Sequence, residues 1–577
     1  MISQPLLDRR KLVGDSYAAL LGAAFYSFTV GLEKLDPRNI AWITHGDQLT
    51  AWLGWRFFAS DGWRWPLGAN PNYGWESKNS IVFSDSWPGL SVISKLSGIE
   101  SLVSGQFFGL GLLVASVALF IGARRVFERL GTSLASSLLG AALLGLTPLF
   151  WWMQRWGPAV SAGTALVVWS FYLYLGNYER MRNLCWRWMV LFALAISTNS
   201  YIVIMISAIF VATLLRMYLS GFANGKQLIL TTLPIAGSNL FFMFLLGYFT
   251  IPAKWSQTGG YGWYSANLLG LLDSNGASRF FPDLPSVSGQ HEPTALSTGS
   301  ILLLAVLLVH QILSRRALRE RTLIREHISL IAVLLVLFAL AVSNTVSLGL
   351  WSIRIPLPQR IEHGLSIFRS SARFVWPGVI ALSFAIIALV ASRLRYAKTI
   401  LVIVLVLQLI DYGSQLKTVR DGRNGDDISV VYDGEFWNRV PSRYVRISVH
   451  PAASLGHGWA ECAYAAVMTN RVGECGYFGR VQGLEAVNRT NSNAFFVGEL
   501  NSSTIYWVPV DWIQAHRSLL STVFTESRTD SVVVRELRAL GGNSILVVPD
   551  CDESEKCRFL GSSVQTFGKF LQELAPS

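Results

Sequence analysis

Charge is what this chain has least of. Asp, Glu, Lys and Arg together make up 15% of its 577 residues while apolar residues make up 51%, and the mean hydropathy is +0.40. That balance excludes a string of ordinary soluble domains and points to a polytopic membrane protein. Cysteine is scarce as well, at five residues, with no close CxxC pair and no HxxxH partner. The region after residue 416 contains no GxGxxG, no P-loop and no nucleophile elbow, which removes the usual grounds for dinucleotide, nucleotide or serine-hydrolase chemistry. A cleavable signal is also not expected. The first apolar run is too long for an h-region and lacks a small-residue cleavage site, so it should stay as an anchor.

What is present is a series of long apolar runs. Segments near 14–33, 107–123, 133–150, 158–176, 189–200, 201–215, 228–247, 299–314, 328–349, 374–392 and 399–413 approach the roughly 20 residues that a bilayer requires. The stretch 189–215 is too long for one span, and the polar break Ser197, Thr198, Asn199, Ser200 lets it turn back. Counted as two, it gives eleven spans.

Orientation follows from where the basic residues fall. Every alternate connection is basic: Arg9, Arg10 and Lys11; Arg124, Arg125 and Arg129; Arg180, Arg182 and Arg187; Arg216 and Lys226; Arg315 to Arg325; Arg393, Arg395 and Lys398. Cytoplasmic loops carry this excess, so the amino terminus is expected inside and everything after residue 413 outside, in a bacterial inner membrane. Merging the doubtful pair reverses the parity of every later loop. Topology accounts for most of the formal charge of +12, and no nucleic-acid partner is needed; membrane lipid is the expected surrounding.

The sequence divides into a membrane domain, 1–415, and a periplasmic α/β domain, 416–577. The boundary is a charged linker from Lys417 to Asp427, after which short alternating runs near 428–432, 444–449, 503–510 and 544–549 read as strands, and 510–520 and 563–574 as helices. Four of the five cysteines lie here. An even number facing an oxidising compartment suggests Cys462 with Cys475 and Cys551 with Cys557, with a zinc site as the alternative. The tail reads as a structural or acceptor-docking module. Asn488 and Asn501 open glycosylation sequons.

The external loops hold the candidate chemistry. One short loop carries Arg354, Arg360, Glu362, His363, Arg369, Ser370, Ser371 and Arg373. Positive charge is depleted from such loops, so these arginines call for an anionic substrate. Arg369 and Arg373 are four apart and would share a face of a helix entering the next span, and the planar fork of arginine suits phosphate. Arg354 and Arg360 assist there or bind lipid headgroups. The first external loop, 34–106, is far longer than ordinary connections. It is dense in aromatic residues from Trp42 to Trp87, as juxtamembrane helices at a bilayer interface would be. Its carboxylates Asp47 and Asp85 are the candidate catalytic acids and bases, Asp47 sitting where a helix start favours negative charge.

One span, a long aromatic loop with an early Gly-Asp, many further spans and a terminal external domain together resemble the GT-C class of integral membrane glycosyltransferases. The segments THGDQLTAWLGWRFF, NSIVFSDSWPGL, GGYGWYSANLLGLLD, FRSSARFVWP and LQLID look like an uncharacterised bacterial membrane family placed near that class, over most of residues 40–415. The resemblance implies that Asp47 acts as base on an acceptor. GT-C enzymes often carry a second acidic residue in the next external loop. Here that connection reads Trp152 to Pro158 without an acid, so a metal-bridged pair is not implied, and a divalent metal stays open as a cofactor.

The resemblance, with which these residues are consistent, implies transfer of a sugar from a polyprenyl-phosphate-linked donor to an envelope glycan or lipid acceptor outside the membrane. One carboxylate would deprotonate the acceptor and cations would neutralise the departing phosphate. The donor is lipid-linked because nucleotide sugars are cytoplasmic. Each residue also has a plainer role open to it. Asp47 and Asp85 suit helix starts, and His45 suits a hydrogen-bonded neighbour of Asp47. Tyr261, Trp263, Tyr264 and Asn267 suit an interfacial belt as well as a sugar ring, and Glu292 is a further acidic candidate. The rivals at the level of the whole protein are a flippase for lipid-linked saccharides, which would show mid-span charges and related halves, and a non-catalytic envelope assembly factor.

Overall fold

In hydrocarbon only a helix satisfies every backbone N–H and C=O within one segment, and ten of the eleven apolar runs fall mainly on helices, the run 328–349 only in its first part. The computed structural model describes residues 4–74, 78–98, 105–154, 157–176, 178, 181–252, 261–314, 325–421, 428, 432–453, 458–480, 483–525, 532–539, 542–551 and 564–574. In chain order the helices are α1 (Gln4–Thr29), α2 (Gly46–Ser60), α3 (Pro88–Leu96), α4 (Phe108–Arg129), α5 (Leu134–Gly145), α6 (Pro148–Trp151), α7 (Pro158–Tyr174), α8 (Met181–Ile196), α9 (Ser200–Leu219), α10 (Gly225–Leu245), α11 (Thr298–Ser314), α12 (Ile328–Val342), α13 (Gln359–Leu365), α14 (Trp376–Arg393) and α15 (Ala397–Asp421). Among the described residues five helices are long and apolar enough to cross a membrane: α4, α9, α10, α14 with the turn that leads into it, and α15. A sixth is added if α5 and the segment Pro148–Gln154, bent by 64°, form one span, while α7, α11 and α12 are apolar but shorter. Length and apolarity therefore support five or six crossings rather than eleven.

By internal contacts the chain forms two units: 1–40, 101–243 and 258–423 in the first, 41–100, 244–257 and 424–577 in the second. The first is the helical bundle. Close approach of its helices depends on small residues, as membrane packing generally does. A Cβ on Gly22 of α1 would lie 2.8 Å from the backbone of Ser116 and Val117 in α4. Trp188, Phe192 and Phe210 pack together where α8 meets α9. The break between those helices lies where the polar residues placed it: Asn199 caps α9, its side chain accepting from the Tyr201 amide at 2.9 Å.

One run departs from expectation. The apolar stretch 328–349 stays helical only to Val342; Ser343 takes φ +66°, and the chain then forms an antiparallel hairpin of β1 (Thr345–Leu348) and β2 (Trp351–Arg354). A continuous run of apolar residues does not separate helix from strand by period, and here Ser343, Asn344 and Gly349 decide it.

The second unit is built on a six-stranded sheet with helices α16 (Gly434–Arg439), α17 (Trp459–Met468), α18 (Leu484–Val497), α19 (Val510–Ala515), α20 (Arg517–Thr525) and α21 (Phe567–Glu573). Its strands are β3 (Arg446–Val449), β4 (Val472–Glu474), β5 (Thr504–Pro509), β6 (Val533–Ala539), β7 (Gly542–Val548) and β8 (Val564–Thr566), in the order β4-β3-β5-β7-β6-β8. β3 runs parallel to β4 and β5, and the remaining pairs are antiparallel. The C-terminal region is thus α/β, as its alternating pattern suggested. The strand expected at 428–432 lies largely outside the described residues. The segment 41–100, read from sequence as the loop of the membrane domain, groups with this sheet. Gly74 N donates to Gly473 O and Gly473 N to Asn72 O, each at 2.9 Å, which stitches the loop to the edge strand β4. Phe57 stacks on Tyr73 at 4.6 Å, and Trp52 on Tyr464 at 5.5 Å.

Candidate functional site

The bundle's unit collects several of the expected residues around one corner. A long connection after α10 carries Tyr264, His291 and Glu292, and the turn Ser371–Val375 before α14 carries Arg373, with Arg369 just ahead of it. Arg369 and Arg373 do not share a helix face as their spacing suggested, because the chain between them turns through Ser370 and a 3-10 segment. They converge all the same. Arg369 Nη2 donates to the Tyr264 hydroxyl at 2.7 Å, and its guanidinium lies 4.8 Å from that ring centre. Arg373 Nε donates to Glu292 Oε1 at 2.8 Å, with the guanidinium 5.1 Å from the Tyr201 ring centre. The Glu292 side chain is only 5% exposed, so its charge is held against Arg373 where water screens least.

Backbone contacts fix this corner. Ser370 N donates to the Tyr201 hydroxyl at 2.8 Å and Ala372 N to Tyr264 O at 3.0 Å. His291 sets its ring edge-on to Tyr264 at 5.4 Å. Neither Tyr201 nor His291 lies in a motif: Tyr201 joins the group through Ser370, 169 positions later, and His291 through the ring of Tyr264 in the same connection.

Asn267 is used differently. Its Oδ1 accepts from Leu269 N and Gly349 N, and its Nδ2 donates to Gln290 Oε1 and Gly349 O, so the amide positions the β1–β2 turn. A polar pocket of about 10 Å³, lined by Ser265, Asn267, Asp273, Gln290, Glu292 and Thr294, lies beside it; that is about the space of one water molecule. Burial, with Asp283 nearby, raises the Asp273 carboxyl above the ordinary range, against the lowering effect of its bonds from Asn275 N and Leu284 N. Tyr261 lies earlier in the same loop, half-buried, and burial raises its hydroxyl. Arg354 pairs with Glu362 at 2.7 Å on an exposed surface, and Arg360 is exposed on α13.

A residue outside the expected set anchors this loop to the bundle. Asp411 of α15 is fully buried. Its Oδ1 accepts from Arg279 N at 2.6 Å and Phe280 N at 2.8 Å, and Ser278 Oγ donates to both carboxylate oxygens. A carboxylate facing successive N–H groups is the pattern of an anion held in a backbone nest.

The second unit holds the candidate carboxylates. Asp47 is exposed in the first turn of α2, favoured there by the helix dipole. His45 precedes it in extended conformation, and its side chain does not cap the helix. The body of α2 is buried through Leu49, Trp52, Leu53, Trp55 and Phe57, and it packs so closely that a Cβ on Gly54 would meet the hydroxyls of Ser84 and Ser86 at 2.1 Å. Those serines bond each other at 2.7 Å and hold Asp85 outward between them. Asp85 (φ +52°) and Trp87 (φ +53°) are both left-handed, a conformation that costs a non-glycine residue roughly 1–3 kcal/mol and is found preferentially at functional turns. Asp85 acts on the buried Tyr248, whose hydroxyl is raised first by burial and then by that charge, with Arg480 opposing.

The cysteines are resolved in part. Cys462 and Cys475 form a disulfide and Cys185 is a free thiol. Cys551 is also disulfide-bonded, while Cys557 lies outside the described residues. Both sequon asparagines have structural partners: Asn488 brackets Ala452 with its amide, and Asn501 caps Ser503. No cluster of three or more His, Cys, Asp or Glu that could hold a metal occurs among the described residues.

Residues 19–413 match a family model described as a domain of unknown function, DUF6311. No curated protein matches the chain.

Proposed function

The chain belongs to the DUF6311 family, and we propose that it is a membrane glycosyltransferase that uses a polyprenyl-phosphate-linked sugar to modify an envelope glycan or lipid on the extracytoplasmic side. In this reading the eleven apolar helices all cross the bilayer, the shorter ones through locally thinned or interfacial regions. The amino terminus is then cytoplasmic and the α/β unit periplasmic. The observation that carries the proposal is the corner at Arg369 and Arg373, where two guanidinium groups are held by a phenol, a buried carboxylate and ring faces. Fixed cations of this kind stabilise a departing phosphate without reorganising during the reaction.

The step is a substitution at the anomeric carbon. The acceptor hydroxyl forms the new C–O bond and gives its proton to a carboxylate, the role that the GT-C resemblance assigns to Asp47, while the bond to the phosphate oxygen breaks and the lipid phosphate leaves with the electron pair as an anion of the kind Arg369 and Arg373 are suited to bind. Envelope glycan mass spectrometry tests it in a deletion strain carrying wild type, Asp47→Asn or Arg369→Ala at matched membrane levels. One glycosyl mass restored by wild type and by neither variant is expected. Full rescue by Asp47→Asn would remove the base from the scheme, and an unchanged glycan profile in the deletion strain would remove the transferase.

A further inference from the structure

The β1–β2 hairpin keeps its apolar side chains on the surface, with β2 exposed along its whole length. Residues paired across an antiparallel ladder lie on the same face, and the register pairs Val346 with Ile353 and Leu348 with Trp351, then Thr345 with Arg354 and Ser347 with Ser352. One face is therefore wholly apolar and the other polar. In a hairpin on a water-facing surface the apolar face would turn inward. Here Ser347 is fully buried, accepting from Gln290 Nε2 at 3.1 Å, while Trp351 is 84%, Ile353 72% and Leu348 54% exposed. Asn267 grips both the N–H and the C=O of Gly349 at the turn, a residue with φ +61°. The apolar face is held outward by design of the loop rather than by looseness.

We propose that this face is a membrane-interface anchor, and that its partner is the lipid of the outer leaflet. Three observations favour lipid over a protein. The hairpin continues directly from α12, whose Leu335 and Val336 are themselves exposed. α12 has 15 residues, which at 1.5 Å each span about 22 Å, short of the roughly 30 Å hydrocarbon core. A four-residue strand adds about 13 Å, enough to carry the apolar surface to the headgroups. The composition also fits that depth, because Trp351 stands at the turn and Arg354, Arg360 and His363 follow on exposed backbone, an aromatic and cationic set suited to the interface and its phosphates. The outer edge of β2, which pairs with no strand among the described residues, limits the depth, since unpaired strand edges do not occur in hydrocarbon.

The inference rests on the helices lying in a bilayer and is independent of glycosyl transfer, so an optical test separates the two. With Cys185→Ser as background, bimane is attached at Trp351→Cys, or at Leu348→Cys should the first variant fail to fold, and the full chain is placed in phosphatidylcholine nanodiscs. Quenching is expected from lipids spin-labelled near the headgroup, stronger than from lipids labelled deep in the chain, with aqueous iodide ineffective. Quenching by iodide alone would overturn the proposal by placing the hairpin in water. Protection from both quenchers would overturn it in favour of a covering protein, and stronger quenching by deep labels would overturn the interfacial depth.

Discussion

At Arg369 the guanidinium is positioned by a neutral phenol and at Arg373 by a buried carboxylate, so the two arginines are not equivalent. Removing Glu292 as Glu292→Gln should leave Arg373 uncompensated and lower protein yield as well as activity, whereas Arg369→Ala should cut transfer by roughly a hundredfold at normal yield. Product formation normalised to membrane protein separates the two outcomes, and Arg369→Lys, which keeps charge but loses the fork, should recover only part. His450 gives a prediction in pH. It is fully buried against Phe495 and Trp512, and its Nδ1 has no hydrogen-bond partner among the described residues. Burial, aided by His516, pushes its pKa down to about 4, so between pH 6.5 and 4 the unfolded chain binds a proton that the folded one refuses. Stability of this region is then complete above pH 6.5 and falls by about 3 kcal/mol as pH drops toward 4. Hydrogen exchange in β3 and α18 should accelerate over that window and do so less in His450→Phe. The nearly neutral sequence around His450 gave no hint of this, because burial is a tertiary property.

Among the elements, α15 and the loop after α10 depend on one carboxylate. Asp411→Asn replaces a charged acceptor of backbone N–H groups by a neutral amide, and hydrogen bonds to charged groups contribute roughly 1.5–3 kcal/mol each. The variant should therefore melt clearly lower in detergent, while Asp421→Asn at the end of the same helix serves as control. Asp411 appears in the sequence only as the end of LQLID; its role depends on residues 278–280, over a hundred positions earlier. The Cys462–Cys475 disulfide links α17 to the end of β4 across 13 residues, and a loop of that size restricts the unfolded chain by about 3 kcal/mol. Reductant, or Cys462→Ser with Cys475→Ser, should speed exchange in α17 and β4 while leaving the bundle's helices unchanged. Its pairing was readable from spacing and compartment, since the close pairs were the simplest choice. The hairpin was not readable, because 328–349 is one apolar run until a left-handed Ser343 interrupts it.

Over the whole molecule the prediction concerns sidedness. With Cys185→Ser as background, a cysteine at Ser220, in the basic connection after α9, should stay unlabelled by an impermeant maleimide in spheroplasts, and one at Ser502 in the α/β unit should react. Equal labelling would undo the eleven-crossing reading, in which five of the crossings separate Ser220 from Ser502 and an odd number puts them on opposite sides. The sequence by itself determined that apolar helices dominate, that one pair of them breaks at Asn199, and that an α/β region follows them. Hydropathy and caps such as Asn199 act within about twenty residues, so these features need no distant partner. Only tertiary structure decided that 41–100 joins the sheet through Gly473, that Arg373 meets Glu292, and that the hairpin turns its apolar face outward. Each of those depends on contacts between residues far apart in the chain, and local propensity does not encode which of many compatible partners closes first against the entropy of the intervening loop.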